Sequence, residues 1–155
     1  LGSISAFLEP LRSQFKKIVG VHIRQGDYRQ WQDGEYYYTQ TEVRSILDSF
    51  LVGNSLAPSD VCFVLCSDGE IDEGAFSGLQ VVRGLNTEIE DLYTLAQTDV
   101  IIGSNSTYGA WASYWGSVPF VAFSRDAIDW STCAEVYGSA VRQGRSESVH
   151  KKEHI

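Results

Sequence analysis

Short apolar runs alternate with segments of helical periodicity along this chain. The clearest run, Val61–Cys66, is an unbroken apolar stretch of strand length, which is typical of a strand buried on both faces of a parallel sheet. Four further strands are predicted over residues 18–23, 79–82, 100–103 and 118–123. Helices are predicted where apolar residues recur every three or four positions, over residues 4–17, 36–52, 86–96 and 108–115.

Strands and helices that alternate with short connections predict an α/β fold, a three-layer Rossmann-like domain with a parallel sheet. Residues 1–142 are expected to form a single domain, because the chain of 155 residues has the length of one ordinary domain. Residues 143–155 are polar and charged, with almost no apolar side chains. They are expected to form a disordered tail.

Composition narrows the class of partner. The net charge of −8 argues against nucleic acid or an anionic membrane surface as the main partner, and no apolar window is long enough to span a membrane.

The three cysteines lack metal-binding spacing and are interpreted as buried thiols in a reducing, cytoplasmic setting: Cys62, Cys66 and Cys133. The chain has neither a methionine nor a signal-peptide pattern, so we expect it to be an excised piece of a longer protein.

Three of the predicted strands end in polar clusters, over residues 22–27, 67–69 and 104–107. The carboxyl ends of parallel strands share one edge of the sheet, where ligands of open α/β folds bind. The third cluster also begins a helix, whose free N–H groups favour a phosphate, and Arg24 can add bidentate hydrogen bonds to it. Asp68 can accept hydrogen bonds from a ring N–H and an amino group, as guanine offers. Together the clusters predict a site for an anionic ligand.

Each of these residues also has a purely structural explanation. His22 can be a buried histidine at a strand end, and Arg24 can simply pair with Asp27. Ser104 or Ser106 can cap the helix that follows, and Asp68-Gly69 is a common turn sequence.

Two groups of aromatic residues have no assigned chemistry. Trp111, Tyr114 and Trp115 are expected to pack in the core, with stacking against a ligand as the alternative. Tyr36–Tyr38 is interpreted as a helix start with one buried ring.

Four segments, in order, resemble motifs of the GDP-fucose-dependent fucosyltransferases, the group that contains α1,2-, α1,6- and protein O-fucosyltransferases. Val21–Tyr28 resembles the first motif, written H-x-R-R-x-D in the α1,2 branch. Phe63–Asp68 resembles the F-x-x-x-S-D strand, and Glu90–Leu95 resembles the E-D-L-Y-L-M helix. Ile102–Trp115 resembles the segment I-x-x-N-S-T-F-S-W-W-G-A-W. The resemblance covers residues 18–130.

The resemblance implies one half of a GT-B glycosyltransferase, namely the carboxyl-terminal half that binds the nucleotide sugar. Its donor substrate is then GDP-fucose and its acceptor a glycan or glycoconjugate, with no metal or other cofactor and with inversion at the fucose. The site residues implied are Arg24 at the diphosphate as the catalytic residue, His22 and Asp68 at the guanine, and Asn105, Ser106 and Thr107 as further substrate-binding residues at the phosphate.

Two departures from the family pattern leave the activity open. Gln25 stands where the α1,2 branch has its second arginine, which removes a cation. Only residues 1–20 precede the first motif, so the amino-terminal GT-B half that supplies much of the acceptor site is expected to be missing. Asp27 and Glu35 are candidates for the general base by position alone. The alternatives are a non-catalytic module that binds a nucleotide or nucleotide sugar, and an enzyme that uses another guanine nucleotide sugar.

Overall fold

The computed structural model describes residues 2–131. Its strands are β1 (Lys17–Ile23), β2 (Val61–Ser67), β3 (Gln80–Arg83), β4 (Val100–Gly103) and β5 (Phe120–Ala122). All neighbouring strands pair in parallel, in the order β3-β2-β1-β4-β5. The predicted α/β fold with a parallel sheet is confirmed.

Within residues 2–131, α1 (Gly2–Gln14) precedes β1, and three α-helices connect strands: α2 (Gln40–Gly53), α3 (Glu88–Leu95) and α4 (Thr107–Gly116). The prediction that Tyr36–Tyr38 starts the second helix is wrong. Thr39 is the N-cap of α2, since its side chain accepts from the Glu42 N–H while the Glu42 carboxylate accepts from the Thr39 N–H. This capping box determines where the helix begins.

Two apolar cores lie on opposite faces of the sheet, which makes the domain three layers thick. Val19 and Val21 of β1 point to the face covered by α2, whereas Ile18 points to the face covered by α1, α3 and α4. Gly20 lies under α3, where a Cβ atom would sit 2.7 Å from Leu95 Cδ2. The small residue in the middle of β1 therefore permits the close packing of α3, as its position in an apolar run predicts.

The carboxyl ends of the three central strands lie side by side. His22 of β1 is in register with Cys66 of β2 and with Gly103 of β4, so the polar residues that follow each strand emerge at one edge. Between residues 2 and 131 no helix is long and apolar enough to cross a membrane. The predicted domain boundary at residue 142, the tail of residues 143–155 and Cys133 lie outside the described residues.

Cys62 and Cys66 are both buried free thiols, as predicted. Burial raises the pKa of Cys62 to about 11 and also raises that of Cys66. Neither thiol carries the negative charge that a nucleophile or a metal ligand needs at neutral pH.

Candidate functional site

Arg24 lies at the centre of the polar edge, immediately after β1. Its backbone N–H donates to Ser104 Oγ at 2.9 Å, which ties the end of β1 to the loop after β4. Its side-chain Nε donates to Asp27 Oδ1 at 3.2 Å and lies 3.5 Å from Asp68 Oδ2. The expected Arg24–Asp27 pair is therefore present, but the guanidinium also reaches the loop after β2. Arg24 thus links all three predicted clusters.

Asp68 is held in place by the backbone of the loop after β1, which contains Arg24 and which we call the arginine loop. Its Oδ1 accepts from the Gln25 N–H at 2.7 Å, and its Oδ2 faces Arg24. The side chain is still 38% exposed, so the carboxylate retains accessible lone pairs. Its predicted contact with guanine stays a prediction.

Gln25 has a structural role that sequence reasoning missed. It is buried, and its Nε2 donates to Ser67 Oγ and to the Glu70 carbonyl, both at 2.9 Å. The Gln25 side chain is therefore bound to the end of β2 and the loop that follows it. At this position the chain uses a neutral amide to join two loops, whereas the α1,2 motif has an arginine.

His22 is buried and neutral at physiological pH. Burial and the neighbouring Arg24 cation lower its pKa to about 4, against the opposing effect of Asp68. Its ring stacks on Tyr108 of α4, with 4.6 Å between centroids. Within residues 2–131 its Nδ1 has no hydrogen-bond partner. An unpartnered buried ring nitrogen carries a desolvation cost that a bound ligand can remove.

A cavity of about 290 Å³ opens between β1, the loop after β3 and α4. Its lining combines predicted and unpredicted residues, namely His22, Arg24, Ser67, Asp68, Asn86, Thr87, Glu88, Asp91 and Tyr108. Asp91 is buried under this cavity and accepts from the Asn86 N–H at 3.3 Å. Burial raises the pKa of Asp91. It also raises the pKa of Tyr108, whose hydroxyl donates to the Glu88 carbonyl.

The residues of this cavity that sequence reasoning missed follow β3 or lie on α3 and α4. Asn86 comes three residues after β3 ends at Arg83, so the rule that ligands bind beyond strand ends would have included it. Tyr108 had no such signal, because an aromatic residue near a helix start is equally typical of the core.

The cluster after β4 begins α4 and borders a second cavity. Ser106 is the N-cap, and its Oγ accepts from the Gly109 N–H at 3.3 Å, as the structural explanation predicts. The N–H groups of Thr107 and Tyr108 belong to the first turn and have no acceptor within the helix. Asn105 and Thr107 are exposed. This turn therefore offers free donors to an anion.

This second cavity is an open groove of about 540 Å³, which we call the outer groove. Its lining residues are Arg24, Asp27, Tyr28, Trp31, Asn105, Ser106, Thr107 and Ala110. Arg24 also lines the first cavity, of about 290 Å³, which we call the inner cavity. The predicted residues are thus brought together in two adjoining cavities that share one guanidinium, with His22 and Asp68 in the inner one and Asn105, Ser106 and Thr107 along the outer one.

The prediction that Trp111 and Trp115 belong to the core is wrong. They are 41% and 52% exposed, and their rings stack on each other at 5.4 Å. The sheet side of α4 is instead formed by small residues such as Gly109 and Ala112, because a Cβ at Gly109 would lie 2.6 Å from the Phe120 ring. The two large rings four residues apart therefore lie on the outer side of the helix.

Among residues 2–131, no group of three His, Cys, Asp or Glu side chains is arranged to hold a metal ion. Independence from metal stays a prediction.

Comparisons with known proteins identify a similar fold. No protein-family model matches the chain, and no curated protein sequence matches it. Among solved structures, POFUT1 in complex with GDP matches with a TM-score of 0.58 and 15% identity, over 79% of this chain and 45% of that chain. POFUT1 in complex with GDP-fucose gives 0.58 and 15%, over 78% and 46%. The POFUT1 apo-form gives 0.55 and 13%, also over 78% and 46%. The chain therefore has a fold similar to part of POFUT1 and spans less than half of its length.

Proposed function

We propose that this chain is the donor-binding domain of an inverting, metal-independent, GDP-fucose-dependent fucosyltransferase. The observation that carries the proposal is the position of Arg24, whose guanidinium lines both the inner cavity and the outer groove. A nucleoside diphosphate sugar fits two cavities that share a cation, because its doubly charged diphosphate joins a nucleoside on one side to a sugar on the other. The motif resemblance and the fold similarity to POFUT1 complexes with GDP and GDP-fucose support the same donor.

The inner cavity suits the guanosine. His22 presents a neutral ring nitrogen with no partner within residues 2–131, and a neutral imidazole can donate or accept a hydrogen bond. Asp68 and Asp91 supply carboxyl oxygens for the ring N–H and amino groups of guanine or for ribose hydroxyls. Tyr108 supports the His22 ring from the other side. The three acidic residues of this lining, Asp68, Glu88 and Asp91, favour a base that carries N–H donors.

The diphosphate is assigned to Arg24 and the start of α4. Both side-chain contacts of Arg24 use Nε, so its terminal NH₂ groups remain for a phosphate. As the bond between fucose and GDP breaks, negative charge grows on the β-phosphate. A preformed cation beside free helix N–H groups stabilises that charge more in the transition state than in the ground state. Arg24 is the proposed catalytic residue for this reason.

The general base and much of the acceptor site are assigned outside this chain, to the other half of a GT-B enzyme. The partial coverage of POFUT1 supports this assignment. The acceptor proposed is a glycan or glycoconjugate.

Calorimetric titration tests the donor assignment. We expect wild-type protein to bind GDP and GDP-fucose, and Arg24→Ala to bind both about 100-fold more weakly, because two charge-assisted hydrogen bonds are lost. Arg29→Ala is the matched control, since it removes the same charge from the same loop at an exposed position outside both cavities. An equal affinity in Arg24→Ala, or no heat from the wild type, would contradict the proposal. Competition by GDP-mannose measures the preference for fucose over another guanine nucleotide sugar.

A non-catalytic nucleotide-sugar-binding module is the second candidate, and the state of Asp27, one of the two positional base candidates, favours it. The Asp27 carboxylate is engaged by Arg24. Hydrolysis of GDP-fucose without acceptor separates the candidates. Turnover that Arg24→Ala abolishes supports the enzyme, whereas binding without turnover supports the module.

A further inference from the structure

A strip of three aromatic rings begins in the loop after β1, and two of the rings, those of Tyr28 and Trp31, line the outer groove. Tyr28 and Trp31 have ring centroids 5.0 Å apart, and Trp31 and Tyr36 have centroids 5.1 Å apart. Tyr28 is buried, Tyr36 is half-buried, and Trp31 is 45% exposed at the lining of the groove. We call these three residues the aromatic strip.

The inner end of the strip is fixed to the site. The Tyr28 hydroxyl donates to the Asn105 carbonyl at 2.8 Å, and the Arg24 guanidinium carbon lies 5.5 Å from the centre of the Tyr28 ring. Tyr28 therefore connects the arginine loop to the start of α4. Any shift of Trp31 relative to the phosphate donors must move this connection.

The outer end of the strip is held by an unusual turn. Gln32 and Asp33 have φ values of 51° and 56°, and Gly34 follows with 77°. Consecutive left-handed residues other than glycine are unfavourable and persist where the surrounding structure requires them. Here the turn reverses the chain between Trp31 and Tyr36 and brings the two rings together.

The groove beside the strip carries hydrogen-bonding groups. Asn105 and Thr107 are exposed residues of its lining, and so is Asp27, whose side chain is 65% exposed. The groove starts at Arg24, where the proposed diphosphate lies. The sugar attached to that phosphate, or an acceptor whose hydroxyl attacks the anomeric carbon of that sugar, therefore lies between the strip and the start of α4.

We propose that the aromatic strip binds a pyranose ring, with Trp31 as the stacking surface. This inference rests on the proposed function and adds a sugar-recognition residue that the motif resemblance does not assign. One face of a pyranose carries C–H groups with partial positive charge, which are attracted to the negative face of an indole. Its hydroxyl groups need donors and acceptors, which Asn105, Thr107 and Asp27 supply. The ring belongs either to the donor sugar or to a glycan acceptor.

Trp31→Ala tests the proposal, with Trp111→Ala as the matched control. Both tryptophans are exposed to a similar extent, 45% and 41%, but Trp111 does not line the outer groove. Because both are surface residues, we expect both variants to fold and to bind GDP with wild-type affinity. The Kd for GDP serves as the internal reference for each protein.

Two measurements distinguish the sources of the sugar. If the ring is the donor sugar, Trp31→Ala weakens GDP-fucose about fivefold relative to GDP, Trp31→Phe retains part of the affinity, and Trp111→Ala has no effect. If the ring belongs to the acceptor, Trp31→Ala leaves the ratio of the Kd values for GDP-fucose and GDP unchanged. The variant then abolishes binding of the GDP-loaded protein to a printed glycan array. The proposal is overturned if Trp31→Ala changes neither measurement. Failure of the proposed function is a different result, in which wild-type protein binds neither GDP nor GDP-fucose.

Discussion

The Gln25 amide is expected to stabilise the domain and the β2 loop, and Gln25→Ala measures how much. The variant removes two hydrogen bonds, from Nε2 to Ser67 Oγ and to the Glu70 carbonyl. Each contributes about 1 kcal/mol net. The buried methylene lost with them adds about 0.8 kcal/mol.

No additional loss of stability is expected from unpaired acceptors, because Ser67 Oγ and the Glu70 carbonyl both keep another hydrogen-bond partner. The Ser67 hydroxyl donates to the Ile23 carbonyl at 2.7 Å, and the Glu70 carbonyl accepts from Gln40 Nε2 at 2.8 Å. The free energy of unfolding should therefore fall by about 3 kcal/mol. For a domain of this size that corresponds to a decrease in Tm of roughly 8 °C.

Urea and thermal unfolding followed by circular dichroism provide the assay. Gln30→Ala is the control, since Gln30 is exposed in the same loop and its substitution should change stability by less than about 0.5 kcal/mol. An unfolding midpoint for Gln25→Ala equal to that of the control would refute the structural role of the amide.

Gln25→Arg tests the comparison with the α1,2 motif directly. A Cβ at Gly69 would lie 2.9 Å from Gln25 Nε2, so the surroundings of the amide are tightly packed. The larger, charged guanidinium should destabilise the domain and give no gain in GDP affinity. A stable variant with tighter GDP binding would show that the second arginine of the motif fits this site.

Two further predictions concern the polar edge and the helix behind it. His22 has a pKa of about 4 in the folded protein and about 6.5 in the unfolded chain. Between these two pH values the unfolded state binds a proton at His22 that the folded state does not bind. The free energy of unfolding should therefore fall by about 3 kcal/mol as the pH drops from 6.5 to 4. Urea midpoints against pH for wild type and His22→Gln measure this difference, and parallel curves would contradict it. Gly116→Ala should destabilise the domain by about 3 kcal/mol or more, because its Cβ would meet the Ala96 carbonyl oxygen at 1.9 Å. A Cβ at Gly2 would have no atom within 4 Å, so Gly2→Ala is the control and should unfold like the wild type. Equal Tm values for the two variants would argue against the close packing at Gly116.

Sequence reasoning predicted the sheet because the strand signal is local. An unbroken apolar run such as Val61–Cys66 has no solvent-facing side, so its burial on both faces follows from composition alone. The three polar clusters followed from the same logic, since parallel strands present their carboxyl ends at one edge. Arg24, His22 and Asp68 were placed at this edge in this way, and their roles in binding stay predictions.

One error came from contacts between segments distant in sequence. Trp111 and Trp115 were assigned to the core by residue type, but the close approach of α4 to β5 leaves room only for small residues on that side. The error at Tyr36–Tyr38 was local, because the capping box of Thr39 and Glu42 starts the helix after these residues.

The sequence by itself determined the fold class, the strand ends that carry polar residues and the central position of Arg24, because these depend on hydrophobic periodicity and on the direction of parallel strands. Only the tertiary structure decided which partner each polar side chain takes. Gln25 turns to the β2 loop, His22 loses its charge by burial beside Arg24, and Trp31 lies along the outer groove. These outcomes depend on distances between loops from different strands, and no local pattern in the chain encodes such distances.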